Sequence, residues 1–259
     1  MNITPAQASF QRLIEVVAEL REKCPWDRKQ TLESLRHLTI EETYELADAI
    51  LKKDYKELPL ELGDLMLHIV FYSKIGQEQN LFDINTVITE QIDKLIRRHP
   101  HIYGDLQGAS EEEIKVNWEK IKAQEKAAAG KVKASVLDGV PESMPSLIKA
   151  QRMQEKAALV GFDWDNEEQV WDKVKEEVQE FKEAETPEHR EEEMGDLLFA
   201  LVNYCRFKGI NAEDALAKTN QKFKKRFEYI EQQSFDKKKP LEEMSLEEME
   251  EYWQEAKKV

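Results

Sequence analysis

Apolar residues recur at intervals of three and four along most of the chain, which is the spacing of an amphipathic helix and not of a strand. Phe10, Leu13, Ile14, Val17 and Leu20 predict a helix over 7–22, and Leu35, Leu38, Tyr44, Ala47, Ile50 and Leu51 predict one over 31–52. Residues 57–79 depart from this pattern, because the run from Leu65 to Tyr72 is apolar on nearly every side. A helix of that kind is expected in the middle of a bundle. A fourth helix is predicted over 84–98. A fifth runs from Ser110 to Gln124, where Ser110 and Glu113 have the spacing of a capping box. The second half repeats the series, with helices predicted over 146–159, 167–184, 188–207, 212–232 and 245–257 and an all-round apolar run from Leu197 to Val202. Strand alternation is weak throughout, and 9 Gly and 8 Pro leave little material for the turns of an all-β protein. The expected fold class is all-α.

The repetition extends to individual residues. Trp26-Asp27 returns as Trp164-Asp165, and Glu41-Glu42 with Glu45 returns as Glu176-Glu177 with Glu180. Glu61, Gly63 and Asp64 return as Glu193, Gly195 and Asp196; Lys94 and Arg98 return as Lys222 and Arg226; Ser110, Glu113 and Trp118 return as Ser245, Glu248 and Trp253. Five elements recur in one order, with offsets that differ only by loop-sized amounts, which is the mark of an internal duplication. Two tandem helical bundle domains are expected, over 1–126 and 147–259. The stretch 127–146 holds two Gly and two Pro, loses the helical period and reads as a linker.

Composition narrows the function classes. The formal net charge is −15, and so acidic a surface is poorly suited to DNA or RNA. No apolar run approaches the roughly 20 residues needed to span a membrane. The polar start, Met1 to Phe10, lacks the apolar core of a signal peptide. Two cysteines with no CxxC pair fit a reducing compartment and indicate neither zinc nor a disulfide scaffold. The cytoplasm is the expected location.

The carboxylates carry the chemistry. Glu176, Glu177 and Glu180 fall within an arc of about 100° on one predicted helix, and Glu193 and Asp196, three apart, share a face of the next. A short connection makes these helices antiparallel neighbours, so their carboxylates converge. Asp196 also stands directly before a run that must be buried, where an uncompensated charge is costly. Oxygen ligands without His or Cys favour Mg²⁺, with Mn²⁺ as a substitute. Either triplet alone would usually be a solvated helix face, since 53 of 259 residues are acidic; the pairing on adjacent helices, present twice, favours metal. None of the five His has a Glu three positions before it, which disfavours a di-iron carboxylate bundle. Gly195 and Gly63 are costly inside helices and imply close approach by a neighbouring element. Lys222 and Arg226, one turn apart, have the chemistry to reach triphosphate oxygens, although a basic face balancing an acidic protein would look the same. Trp164 and Trp253 have the shape to stack a base, and either is also an ordinary core residue.

With these residues in place the chain resembles the MazG family of all-α nucleoside triphosphate pyrophosphohydrolases. The resemblance rests on Cys24-Pro-Trp-Asp27, Glu41 to Glu45, Glu61 to Asp64, Arg97 to Pro100, Gly161 to Trp164, Glu191 to Phe199 and Lys222 to Arg226. It implies Mg²⁺-dependent conversion of NTPs to NMP and pyrophosphate, broad base tolerance, a homodimer, and a second domain that carries most of the activity. It implies Glu177, Glu180, Glu193 and Asp196 as metal ligands, with Glu42, Glu45, Glu61 and Asp64 as their first-half equivalents. It also implies nucleotide contacts from Lys173, Lys222, Arg226 and Trp253. The first-half counterparts of the last three are Lys94, Arg98 and Trp118. Glu193 belongs to the expected catalytic set, and Glu176 or Glu177 is the expected general base. Asn220 beside Lys222 is matched by Ile92 beside Lys94, which weakens nucleotide binding in the first half. A non-catalytic metal–nucleotide sensor and a helical protein-interaction module remain as alternatives.

Overall fold

The computed structural model describes residues 4–104, 108, 110–128 and 135–258, and these contain helices, turns and no strand. The helices are α1 (Pro5–Lys23), α2 (Leu32–Lys52), α3 (Leu58–Glu78), α4 (Ile84–Arg98), a single turn α5 (Pro100–Tyr103), α6 (Glu111–Ala128), α7 (Ser146–Ala158), α8 (Glu167–Glu183), α9 (Pro187–Phe207), α10 (Ala212–Lys237) and α11 (Leu246–Ala256). The all-α expectation holds, and the order α2-α3-α4 returns as α8-α9-α10.

Caps set most of the boundaries. Thr4 Oγ1 accepts from the Gln7 N–H, and Gln7 Oε1 accepts from the Thr4 N–H, so α1 opens at Pro5, two residues before the periodicity does. Thr31, Asp83, Asn166, Thr186, Asn211 and Ser245 cap α2, α4, α8, α9, α10 and α11. The box predicted at Ser110 and Glu113 forms, with bonds of 2.8 and 3.2 Å. α10 runs five residues past its predicted end and stops only where Lys238 turns into the left-handed region. The intervening residues have no glycine or proline to end it.

The chain divides into two compact units, Met1–Ile121 and Lys122–Val259. In the first, α1, α2 and α3 close over Val17, Leu35, Val70, Phe71 and Ile75. An arginine fork locks the loop after α1. Arg21 donates to the Asp27 and Gln30 carbonyls, at 2.5 and 3.0 Å, and pairs with Glu78 at 2.5 Å. Gly76 admits the Phe82 ring, which a Cβ would meet at 2.7 Å. In the second unit α8 packs on α9 more extensively than any other pair of helices in the chain, joined through the short loop 184–186. Its buried residues are smaller, among them Val170, Val174, Ala200 and Val202. Within the stretch 127–146, residues 135–145 form turns, and Lys156 Nζ donates to the Val136 carbonyl at 3.1 Å, which holds that part against α7.

Two expectations about the central helices need correcting. α3 and α9 are covered on one side only. Leu62, Met66 and Ile69 are exposed on α3, and Met194, Leu198 and Leu201 at the equivalent positions of α9. Gly63 and Gly195 lie among these residues and have nothing within 4 Å of an added Cβ. Among the described residues no element approaches either glycine closely.

Truncating Phe71 to Ala removes a buried ring that α1 and α2 close over, a change that costs about 3–5 kcal/mol. Hydrogen exchange is expected to lose protection in α1–α3 while α8 and α9 keep theirs; equal loss in both would show that the units unfold together.

Candidate active site

The helical period that builds the core of α8 also builds the site. Val170, Val174 and Glu177 follow one another at intervals of four and three on the buried face. Packing the two valines against α9 therefore draws the third residue in, and Glu177 is only 4% exposed. On α9, Thr186 accepts from the His189 N–H and Pro187 occupies the first turn. Glu193 and Asp196 follow one turn apart on the side that faces α8.

The result is two carboxylate triads that share one member. Oxygens of Glu177, Glu193 and Asp196 lie within 4.8 Å of one another, as do those of Glu176, Glu177 and Glu180. Burial raises the Glu180 pKa above the ordinary carboxylate range, and the charges of Glu177, Glu193 and Glu176 add to it against the opposing pull of Lys173. Lys173 Nζ sits 2.6 Å from both Glu176 and Glu177, and its pKa is raised by those hydrogen bonds. One ammonium thus already neutralises part of the cluster. His189, one turn before Glu193, places Nε2 2.9 Å from its carboxylate. That contact was legible from the spacing of four along one helix, and sequence reasoning passed over it.

The first half forms the corresponding triad from Glu42, Glu45 and Glu61. Asp64 is outside that triad, but its charge acts on Glu42: burial raises the Glu42 pKa most, followed by Asp64 and Glu45. Glu61 is buried too, and desolvation followed by the charge of Glu45 raises its pKa. The position equivalent to Lys173 is Leu38, which brings no ammonium to this cluster.

The structure groups the expected nucleotide contacts differently. The Arg226 guanidinium lies 5.4 Å over the Trp253 ring, and Phe223 meets the same ring at 5.2 Å. These form a basic and aromatic cluster on α10 and α11, with Lys222 one turn before Arg226 on the same helix. Among the described residues no hydrogen bond or ion pair ties it to the carboxylates of its own chain. Trp164 instead lines a cavity of ≈ 700 Å³ whose wall includes Lys173, Glu177 and Asp196. Phe199, Asn203, Gln154 and Arg206 also line it. Gln154, Asn203 and Arg206 were not singled out from the sequence, because isolated residues carry no spacing signal, and Phe199 entered only as the end of a motif.

Donor chemistry and burial fit a hard divalent cation. The donors are all carboxylate oxygens, they are crowded enough to raise Glu180, and one cation is already drawn among them. No helix among the described residues is long and apolar enough to cross a membrane.

Residues 30–103 and 166–230 each match the MazG nucleotide pyrophosphohydrolase domain. This chain belongs to the MazG family. It is 45% identical over 250 residues to the nucleoside triphosphate pyrophosphohydrolase/pyrophosphatase MazG of Thermotoga maritima, covering 96% of this chain and 95% of that one. It is 42% identical over 257 residues to the nucleoside triphosphate pyrophosphohydrolase of Escherichia coli K12, covering 96% and 97%. The two matched stretches confirm the duplication of the MazG unit; the first contains the triad of Glu42, Glu45 and Glu61, and the second contains both triads that share Glu177. Gln154 and Trp164, which line the cavity, precede the second stretch, and Trp253 follows it.

The raised pKa values give a pH signature. A carboxyl group whose folded pKa lies above its unfolded one destabilises the fold once the pH rises past the ordinary value of about 4.3. Glu61→Gln is therefore expected to raise the melting temperature of the metal-free protein at pH 7 and to leave it unchanged near pH 3. The same substitution should reduce the stabilisation that Mn²⁺ gives wild type. Calorimetry at the two pH values, with and without Mn²⁺, checks both.

Proposed function

We propose that this protein hydrolyses nucleoside triphosphates, ribo and deoxy and with broad base tolerance, to the monophosphate and pyrophosphate, and that it does so mainly in the C-terminal half. The observation that carries the reading is the pair of triads sharing buried Glu177, inside a stretch that matches a nucleotide pyrophosphohydrolase domain. The names of the Thermotoga maritima and Escherichia coli relatives support the same reaction.

Glu177, Glu180, Glu193 and Asp196 are the residues that would hold Mg²⁺ or Mn²⁺. Bound there, the cation supplies neutralisation of the triphosphate and acidity for the attacking water. The rest falls to side chains. Glu176, more exposed than Glu177 and joined to Lys173, is placed to accept the proton of the attacking water as general base. His189 holds the Glu193 carboxylate in orientation. Lys173 exchanges its carboxylate partners for phosphate oxygens when a triphosphate arrives, because the incoming anion competes for the same ammonium. Lys222 and Arg226 stabilise the departing pyrophosphate, with Trp253 against the nucleotide.

The exposed stripes Leu62, Met66, Ile69 and Met194, Leu198, Leu201 support a homodimer. Each is an apolar helix face flanking a glycine with open space around it. A second copy covering these faces would also supply the close approach that the glycines permit. A cytoplasmic location agrees with the two free cysteines, Cys24 and Cys205. The net charge of −15 argues against nucleic-acid binding.

Glu193→Gln is expected to abolish pyrophosphate release from mixed NTPs with Mg²⁺ while the melting temperature is retained. Glu61→Gln should cost much less activity. Full turnover in the Glu193 variant would overturn the site, and failure of wild type to form NMP would leave a sensor or an interaction module instead. Leu198→Glu is expected to shift the sedimentation coefficient towards that of a monomer; an unchanged value would remove α9 from the interface.

A further inference from the structure

We propose that the cavity between α7, α8 and α9 is the nucleobase site of the C-terminal half, read by Gln154 and Asn203, and that His68 and Phe71 fill its counterpart in the N-terminal half. This rests on the reading of the protein as a nucleotide hydrolase, and it names the residues that bind the base.

At ≈ 700 Å³ the cavity is within the range of about 300–1,000 Å³ usual for small-molecule sites. Its wall shares Lys173, Glu177 and Asp196 with the carboxylate cluster, so a ligand with phosphates at that cluster can extend its other end inward. The remainder is largely apolar and aromatic, with Phe162, Trp164 and Phe199 offering ring faces to a planar base. Phe162 follows Gly161, whose φ of +86° turns the chain at the cavity mouth, and it is 82% exposed. An aromatic residue left so open beside an apolar cavity is placed to close on a stacked ring.

The polar groups point to a base and not to a plain hydrocarbon. Gln154 is only 7% exposed. Its Nε2 donates to the Phe199 carbonyl at 2.8 Å, which fixes the amide, and its Oε1 is buried without a partner. A buried acceptor left unpaired is rare and costly, and because Gln154 stands in the cavity wall a small shift of its amide would offer that oxygen to a donor in the cavity. Asn203 is fixed in the complementary sense. Arg206, itself held in a fork by Asp163 at 2.5 and 3.0 Å, donates Nε to Asn203 Oδ1 at 2.9 Å. The Asn203 oxygen is thereby occupied, and its NH₂ is the group left to donate. One fixed acceptor and one fixed donor match the mixed donor–acceptor edge of a nucleobase.

The duplicated half supports the assignment by contrast. Val70 and Tyr72 on α3 match Val202 and Tyr204 on α9, which fixes the register. In that register Ala200 corresponds to His68 and Asn203 to Phe71. Phe71 is part of the first unit's core. His68 is buried, with Nδ1 3.0 Å from Thr39 Oγ1, which lies 2.6 Å from the Tyr72 hydroxyl. Leu38 and Leu67, standing for Lys173 and Phe199, pack against the same core. The N-terminal half keeps carboxylates for a cation while its equivalent space is filled by its own side chains.

The test transplants the first-half residue and reads binding separately from metal. Asn203→Phe is expected to raise KM for NTPs tenfold or more, and to erase the preference of wild type for an NTP over ribose 5-triphosphate, which has no base. Mn²⁺ binding, followed by electron paramagnetic resonance, should persist. Phe162→Ala changes an exposed residue that the fold does not need, and should weaken the same preference. It decides the matter alone if the first variant does not fold. Unchanged KM and unchanged base preference in the folded variants would overturn the proposal. Absence of turnover in wild type with any NTP would instead sink the enzymatic reading on which it rests.

Discussion

Several carboxylates must share a few ångströms at the α8–α9 hairpin while the residues one turn away from them are packed against a neighbouring helix. The two demands come from one geometry. A helix that buries Val170 and Val174 cannot direct Glu177 elsewhere, because the position three residues on lies on the same side. Desolvation, with the neighbouring carboxylate charges adding to it, raises Glu180, and the Lys173 ammonium sits against both Glu176 and Glu177. A site in this condition favours added positive charge, and the Lys173 ammonium is the part of it that the chain itself supplies.

Duplication placed the same arrangement in two settings. Both halves bring a triad of carboxylates together, and both fasten the loop before the first acidic helix with an arginine. Arg21 does so through the Asp27 and Gln30 carbonyls, and Arg206 through the Asp163 carboxylate. The halves diverge one layer behind the carboxylates. The first half has Leu38, His68 and Phe71 there, and a core of large side chains. The second has Lys173, Ala200 and Asn203, and a cavity. Packing and open space compete for the same volume, since each unit has one interior to fill or to leave open.

Much of the fold was legible from the residues in order. Helix periods and cap residues act within a few positions, so α2, α3, α4, α8 and α9 lie within one residue of their predicted bounds. The start of α1 and the end of α10 were misjudged where local signals were read too narrowly: Thr4-Pro5 is itself a start signal, and the residues after 232 contain no stop signal before the left-handed turn at Lys238. The carboxylates were legible because each set sits on one helix and recurs. Gln154, Asn203 and Arg206 were not, because they lie on α7 and on the far turns of α9 and meet only through packing.

The sequence by itself determined the helical class, the duplication, the MazG likeness and which acidic residues share a face. The helical class and the shared faces follow from spacing along one chain segment, the duplication from motifs that recur in one order, and the MazG likeness from resemblance to a known family. Only the tertiary structure decided that Lys173 turns towards Glu176 and Glu177, that the Arg226 guanidinium lies over the Trp253 ring, and that Trp164, Phe199 and Asn203 line one cavity. Those outcomes depend on which side chains from different helices compete for the same space, and no period along a single helix records its lateral neighbours.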